Sequence, residues 1–139
     1  MKNPVLSKKV GWISLAVLVL IDSFLDVIRG AEGNPLWIPV LNRIGINNAP
    51  FLVPFVLLLF YLFVRVLGYL VNKFDKTPMA EELVLTALVI VYAVFDIWAI
   101  SVDFLGFRLI KNFRYMIIPM TIIGVGYALW AQKRLGKKK

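Results

Sequence analysis

Residues 83–103 read LVLTALVIVYAVFDIWAISVD, a run in which only Asp96 and the closing Asp103 are charged. An α-helix rises about 1.5 Å per residue, so a run of this length reaches across a hydrocarbon core about 30 Å thick. Outward from it lie three similar runs: Val10 to Ile28, Phe51 to Val71 with the single charge Arg65, and Tyr115 to Ala131 with none. The pattern predicts an all-α integral membrane bundle of about four transmembrane helices, at 10–28, 51–71, 83–103 and 115–131, in a single transmembrane domain covering 1–139. Lys8 and Lys9 ahead of the first run would also suit a signal peptide. Asp22 and Asp26 within it, and the lack of an A-x-A-like site after it, favour a retained helix.

The composition agrees. The chain has 139 residues, 60% of them hydrophobic, with a mean hydropathy of +0.82. A chain this short cannot hide that much apolar surface in one soluble core. Cys and His are both missing, which removes disulfides, thiol nucleophiles, haem ligation by His and most zinc and copper chemistry. No cofactor is expected, and any metal would be a hard cation held by oxygens. There is no Gly-rich phosphate loop and no G-x-S-x-G, and the serines have no His partner. Aspartyl hydrolysis would need two carboxylates sharing a proton, and four short helices leave little room for a substrate, so the sequence leans away from an enzyme.

The net charge of +8 gathers at the ends of the apolar runs. It is read as membrane orientation and attraction to anionic lipid, above all at the basic C-terminal tail, and no nucleic-acid partner is expected. Lys2, Lys8, Lys9, Lys73, Lys76, Lys133, Arg134, Lys137, Lys138 and Lys139 fall on one side, ten in all. Arg29, Arg43, Arg108, Lys111 and Arg114, five in all, fall on the other. This bias predicts a multi-pass protein of the plasma membrane with both termini cytoplasmic.

Local signals add detail. Thr77-Pro78 ahead of Glu81 and Glu82 predicts a cap and start for the third span near Pro78. Asn34-Pro35 opens a segment in which Trp37, Val40, Leu41 and Ile44 recur at helical spacing, a short interfacial helix that Gly45 should stop. Pro54 and Pro119 fall in the first turn or two of their runs, where a missing N–H costs little. Gly124 and Ala128, with Thr121 on the same side, predict close packing inside the bundle, with a homodimer seam as the alternative.

The carboxylates are the candidate site. Asp22 and Asp26 share a helix face with Arg29, and Asp96 and Asp103 share one with Tyr92. Asp22 and Asp96 each lie about 10 Å below the outer ends of their helices. An ionised Asp facing lipid at mid-span costs about 2.5–3.5 kcal/mol on insertion scales, so both stripes should face the interior, toward each other or toward Arg29 or Arg108. Protonation of Asp22 and Asp96 is the alternative. Asp26 and Asp103 lie nearer the rim and also read as solvated helix ends. Arg65, on the cytoplasmic half of its span, is expected to snorkel toward headgroups, with a role as inner counter-ion as the alternative.

The segment Asp22-Ser23-Phe24-Leu25-Asp26, followed by Gly30-Ala31-Glu32-Gly33-Asn34-Pro35, resembles a family of small uncharacterised prokaryotic multi-pass membrane proteins. In that family a D-x-x-x-T helix runs into a Gly and then E-x-N-P at the membrane surface, and Asp26 here stands where the family usually has Thr. The resemblance implies architecture only. It draws attention to Glu32 and Asn34 as groups that cap or clamp the rim of the first helix. Two functions follow from the residues as expectations. One is a proton- or cation-binding channel or carrier, acting as an oligomer. The other is a non-catalytic accessory or assembly subunit of a larger membrane complex.

Overall fold

A computed structural model describes residues 3–32, 34, 36–107 and 109–136. Helix α1 (Lys8–Arg29) starts where the Ser7 hydroxyl accepts the Val10 N–H, and ends at Gly30, whose φ of 71° turns the chain out of the helix. Helix α2 (Ile38–Ile44) is the short helix expected between the first two spans, and Gly45 ends it at a φ of 88°. A 3-10 turn (Ile46–Leu52) leads into α3 (Val53–Asp75), which has Pro54 in its first turn. Helices α4 (Ala80–Asp103) and α5 (Phe113–Gly136) complete the chain.

By length and composition α1, the stretch Ile46–Asp75, α4 and α5 can each cross a membrane. The protein is an all-helical membrane bundle. Helix α4 is its axis: it packs against α1, α3 and α5, whereas α5 packs against no other long helix. Each contact with α4 runs through a glycine. A Cβ on Gly11 of α1 would lie 2.6 Å from Leu85 Cδ2. One on Gly68 of α3 would lie 3.0 Å from the Cα of Glu81, and one on Gly124 of α5 would lie 2.8 Å from Val91 Cγ2. The helices approach this closely because those side chains are missing. Gly124 therefore packs inside the bundle, as the small-residue spacing predicts.

Residues 3–7 form a strap against α4 and α5. The Leu6 N–H donates to Thr86 Oγ1 at 2.9 Å, the Tyr127 hydroxyl donates to the Pro4 carbonyl, and Val5 is buried. Two side chains thus satisfy extended backbone that would otherwise be stranded at helix depth. The strap, the α3–α4 link and the end of α5 lie together, so the first and last described segments share one end of the bundle.

Two expectations change. Thr77 does not cap α4. The helix starts at Ala80 after Met79 in a left-handed conformation, with no side-chain cap. Thr77 is buried instead, and its hydroxyl accepts from Gln132 Nε2 of α5 at 3.1 Å, so the tertiary bond takes the oxygen a cap would use. Helix α5 starts two residues before the predicted run, which places Pro119 deeper inside it than the sequence suggests.

Candidate intramembrane acidic site

At the end of the bundle opposite the termini, α1 brings Asp22, Asp26 and Arg29 to the α4 residues Tyr92, Asp96 and Asp103. The helical offsets put each set on one face, as the spacing predicts. The Tyr92 hydroxyl donates to Asp22 Oδ2 at 3.0 Å. Arg29 is held on three sides: Nη2 pairs with Asp26 Oδ1, Nη1 with Asp103 Oδ2 at 2.6 Å, and Nε donates to the Ala31 carbonyl at 2.9 Å. A planar guanidinium suits this bridging role because its donors are fixed in a fork.

The reading of Asp26 as a solvated helix end is corrected. It is only 3% exposed, because α2 and the 3-10 turn fold over this part of α1 and bury it beside Arg29. Asp103 is exposed at the helix end, as its reading as a rim residue expects, and also pairs with Arg29. Asp96 departs further from expectation. It is 4% exposed, and among the described residues neither carboxylate oxygen has a hydrogen-bond partner. Among the described residues no arginine pairs with it. Arg29 pairs directly with Asp26 and Asp103 and with neither Asp22 nor Asp96, and Arg108 lies outside the described residues.

Glu32 and Asn34 form the rim. Glu32 Oε1 accepts the Asn34 N–H at 2.6 Å, and Asn34 Oδ1 accepts the Leu36 N–H at 3.0 Å. The Asn34 carbonyl also takes the N–H groups of Trp37 and Ile38, but the N-cap of α2 is Trp37 with no side-chain bond, so Asn34 turns the chain toward the helix without being the expected cap. Gly33 and Pro35 of the same motif lie outside the described residues.

Two spaces adjoin the site. A cavity of about 40 Å³ is bordered by Asp22, Asp26, Glu32 and Tyr92 and roofed by Trp37, just ahead of α2, and Leu41 of α2 with Ala49 and Leu52 of the 3-10 turn. A wider cleft of about 490 Å³ opens beside it, lined by Arg29, Glu32, Asp103 and Lys111 with Phe95 and Trp98. Among the described residues no three acidic groups come together as metal ligands. The sequence reading missed the roof and Lys111. The only signal for the roof was the helical stripe 37, 40, 41 and 44, which says that a helix exists but not what it covers.

Arg65 sits at the other end of the bundle. It does not simply reach for headgroups: Nη1 pairs with Glu81 Oε1 at 2.8 Å, while Lys8 Nζ holds the other Glu81 oxygen at 2.7 Å. Glu81 is close enough because Gly68 lets α4 lie directly on α3. The pair is partly exposed, where such contacts contribute about 0–1 kcal/mol.

Comparison with protein families, with curated proteins and with solved structures finds no match for this chain.

Proposed function

We propose that this membrane bundle binds a proton or small cation at the acidic site between α1 and α4, as a channel or carrier, with Asp96 as the central group. The observation that carries the reading is the buried Asp96 carboxyl, which has no hydrogen-bond partner among the described residues. A buried polar group without a partner costs about 1–3 kcal/mol, and a fold with no use for it would replace it or pair it. Ionisable groups at membrane depth lean functional for this reason. Asp22, Tyr92, Asp26 and Glu32 supply further exchangeable oxygens from Asp96 toward the rim. In this reading both termini are cytoplasmic, the acidic site opens to the outer surface of the plasma membrane, and the basic C-terminal tail rests on anionic lipid.

The test is flux in vesicles containing the purified protein. Asp96→Asn and Asp22→Asn are expected to abolish a pH-driven or cation-driven flux while leaving helix content and elution unchanged. If the double substitution folds and carries the same flux, or if the intact protein carries none, the proposal fails.

A second reading, an accessory or assembly subunit, is favoured by α5. That helix packs only on α4 and leaves most of its surface uncovered within the chain. A homo-oligomer would cover the same surface. Native mass measurements in mild detergent separate the readings: a defined oligomer of this chain alone supports the carrier, and a stoichiometric complex with a second membrane protein supports the subunit.

A further inference from the structure

We infer that Arg29 is the specificity-determining group of the acidic site, barring metal cations so that the ligand is the proton. This rests on the proposed reading of Asp96 and its neighbours as an ion-binding site.

Arg29 stands on the boundary between the two spaces. It lines the wide cleft, and its partner Asp26 lines the small cavity. Glu32 borders both. The titratable groups lining the two spaces are Asp22, Asp26 and Arg29 from α1, Tyr92 and Asp103 from α4, Glu32 from the α1–α2 link and Lys111 from the α4–α5 link, while Asp96 lines neither. A metal ion moving inward would pass a guanidinium that is charged at every accessible pH. That charge is balanced by Asp26 and Asp103, so what Arg29 denies a metal ion is the carboxylate oxygens it would need. The ion would also have to shed its water, since a 40 Å³ cavity has room for only one or two waters. Hard cations give up water only to several converging oxygens, and among the described residues the acids bordering this cavity do not group as metal ligands.

A proton meets none of these obstacles. It moves by forming one O–H bond as another breaks, from water to a carboxyl oxygen and on to the next. It never has to sit beside Arg29 as a separate ion. When Asp26 accepts the proton, Arg29 loses one partner but keeps Asp103 and the Ala31 carbonyl. The guanidinium is therefore not stranded, and Asp26 can exchange protons without releasing α1 from α4.

The experiment is infrared difference spectroscopy of the full chain in vesicles of mixed neutral and anionic phospholipid, following the carboxyl C=O band on acidification. It is run first in choline chloride and then with added sodium or potassium chloride. In the intact protein the band is expected to respond to pH, to shrink in Asp96→Asn, and to ignore sodium and potassium. In Arg29→Gln the metal ions are expected to suppress it, shifting the sodium concentration for half effect down by at least about tenfold. Arg29→Lys, which keeps the charge, should remain indifferent. Should Arg29→Gln not fold, the charge-balanced pair Arg29→Gln with Asp103→Asn carries the same test. Suppression by sodium or potassium in the intact protein overturns the inference while leaving the acidic site standing. So does an arginine-free variant as indifferent to metal ions as the intact protein. If no carboxyl band responds to pH at all, the acidic site itself is wrong and the inference goes with it.

Discussion

At position 96 the fold buries a carboxyl whose oxygens have no bond among the described residues, a state that destabilises it by about 1–3 kcal/mol relative to an apolar side chain of similar size. Asp96→Leu is therefore expected to raise the unfolding free energy by about that amount, measured by denaturant titration in mixed micelles, while abolishing ion binding. A loss of stability instead would mean that Asp96 holds the helices together through a partner. Tyr92→Phe should act in the opposite direction. It removes the donor to Asp22 at 3.0 Å and should cost about 1–3 kcal/mol in the same titration, because Asp22 is left half-buried and short of a bond. The acids themselves were legible in the sequence, since spacing alone put Asp22 with Asp26 and Asp96 with Asp103. Which of them Arg29 would take was not. The 1.5 Å rise gives depth along each helix but not the angle at which α1 and α4 face each other, and that angle delivers Asp103 rather than Asp96 to the guanidinium. Asp26 looked like a solvated end because its roof comes from residues eleven or more positions away.

Among elements, α4 is distinguished by lying on a glycine of every long neighbour, and this orders the cost of adding a methyl group. Gly68→Ala should be the most damaging, at about 1–3 kcal/mol, because its Cβ would meet the backbone of Glu81 and the helices themselves would have to part. Gly126→Ala, on the same helix as Gly124 but with nothing within 4 Å of its Cβ, should be neutral or stabilising by up to about 1 kcal/mol through helix propensity. Thermal unfolding in detergent of these two and of Gly124→Ala tests the order, and equal effects at 68 and 126 would refute close packing at Gly68. Thr86→Val offers a separate check on the strap. It strands the Leu6 N–H and should loosen residues 3–7, raising their amide exchange without unfolding α4. The long helices could be read from hydropathy because each run is bounded by polar residues. Their contacts could not. Gly11 and Gly68 carry no local mark that separates a packing glycine from an incidental one, and Thr77 carried the mark of a cap while serving a bond to α5.

For the whole molecule, the geometry fixes which chain segments share an end but leaves open which end is cytoplasmic. Among the described residues Lys8, Lys9, Lys73, Lys76, Lys133 and Arg134 cluster at the end that holds both termini. The opposite end carries Arg29, Arg43, Lys111 and Arg114, of which Arg29 is tied to two carboxylates. Orientation follows the count of Lys and Arg near the span ends, so the termini should stay inside. The chain has no cysteine, which makes single-cysteine labelling free of background. Leu109, 87% exposed in the α4–α5 link, and Gly136, at the end of α5 with open space around it, probe opposite ends without removing a charge. In cells expressing the protein, an impermeant maleimide is expected to modify Leu109→Cys directly and Gly136→Cys only after permeabilisation. The reverse pattern would turn the acidic site toward the cytoplasm and make any proton entering it a cytoplasmic one. Labelling of both positions from the same side would contradict α5 as a membrane span, and with it the depth at which Asp96 has been placed.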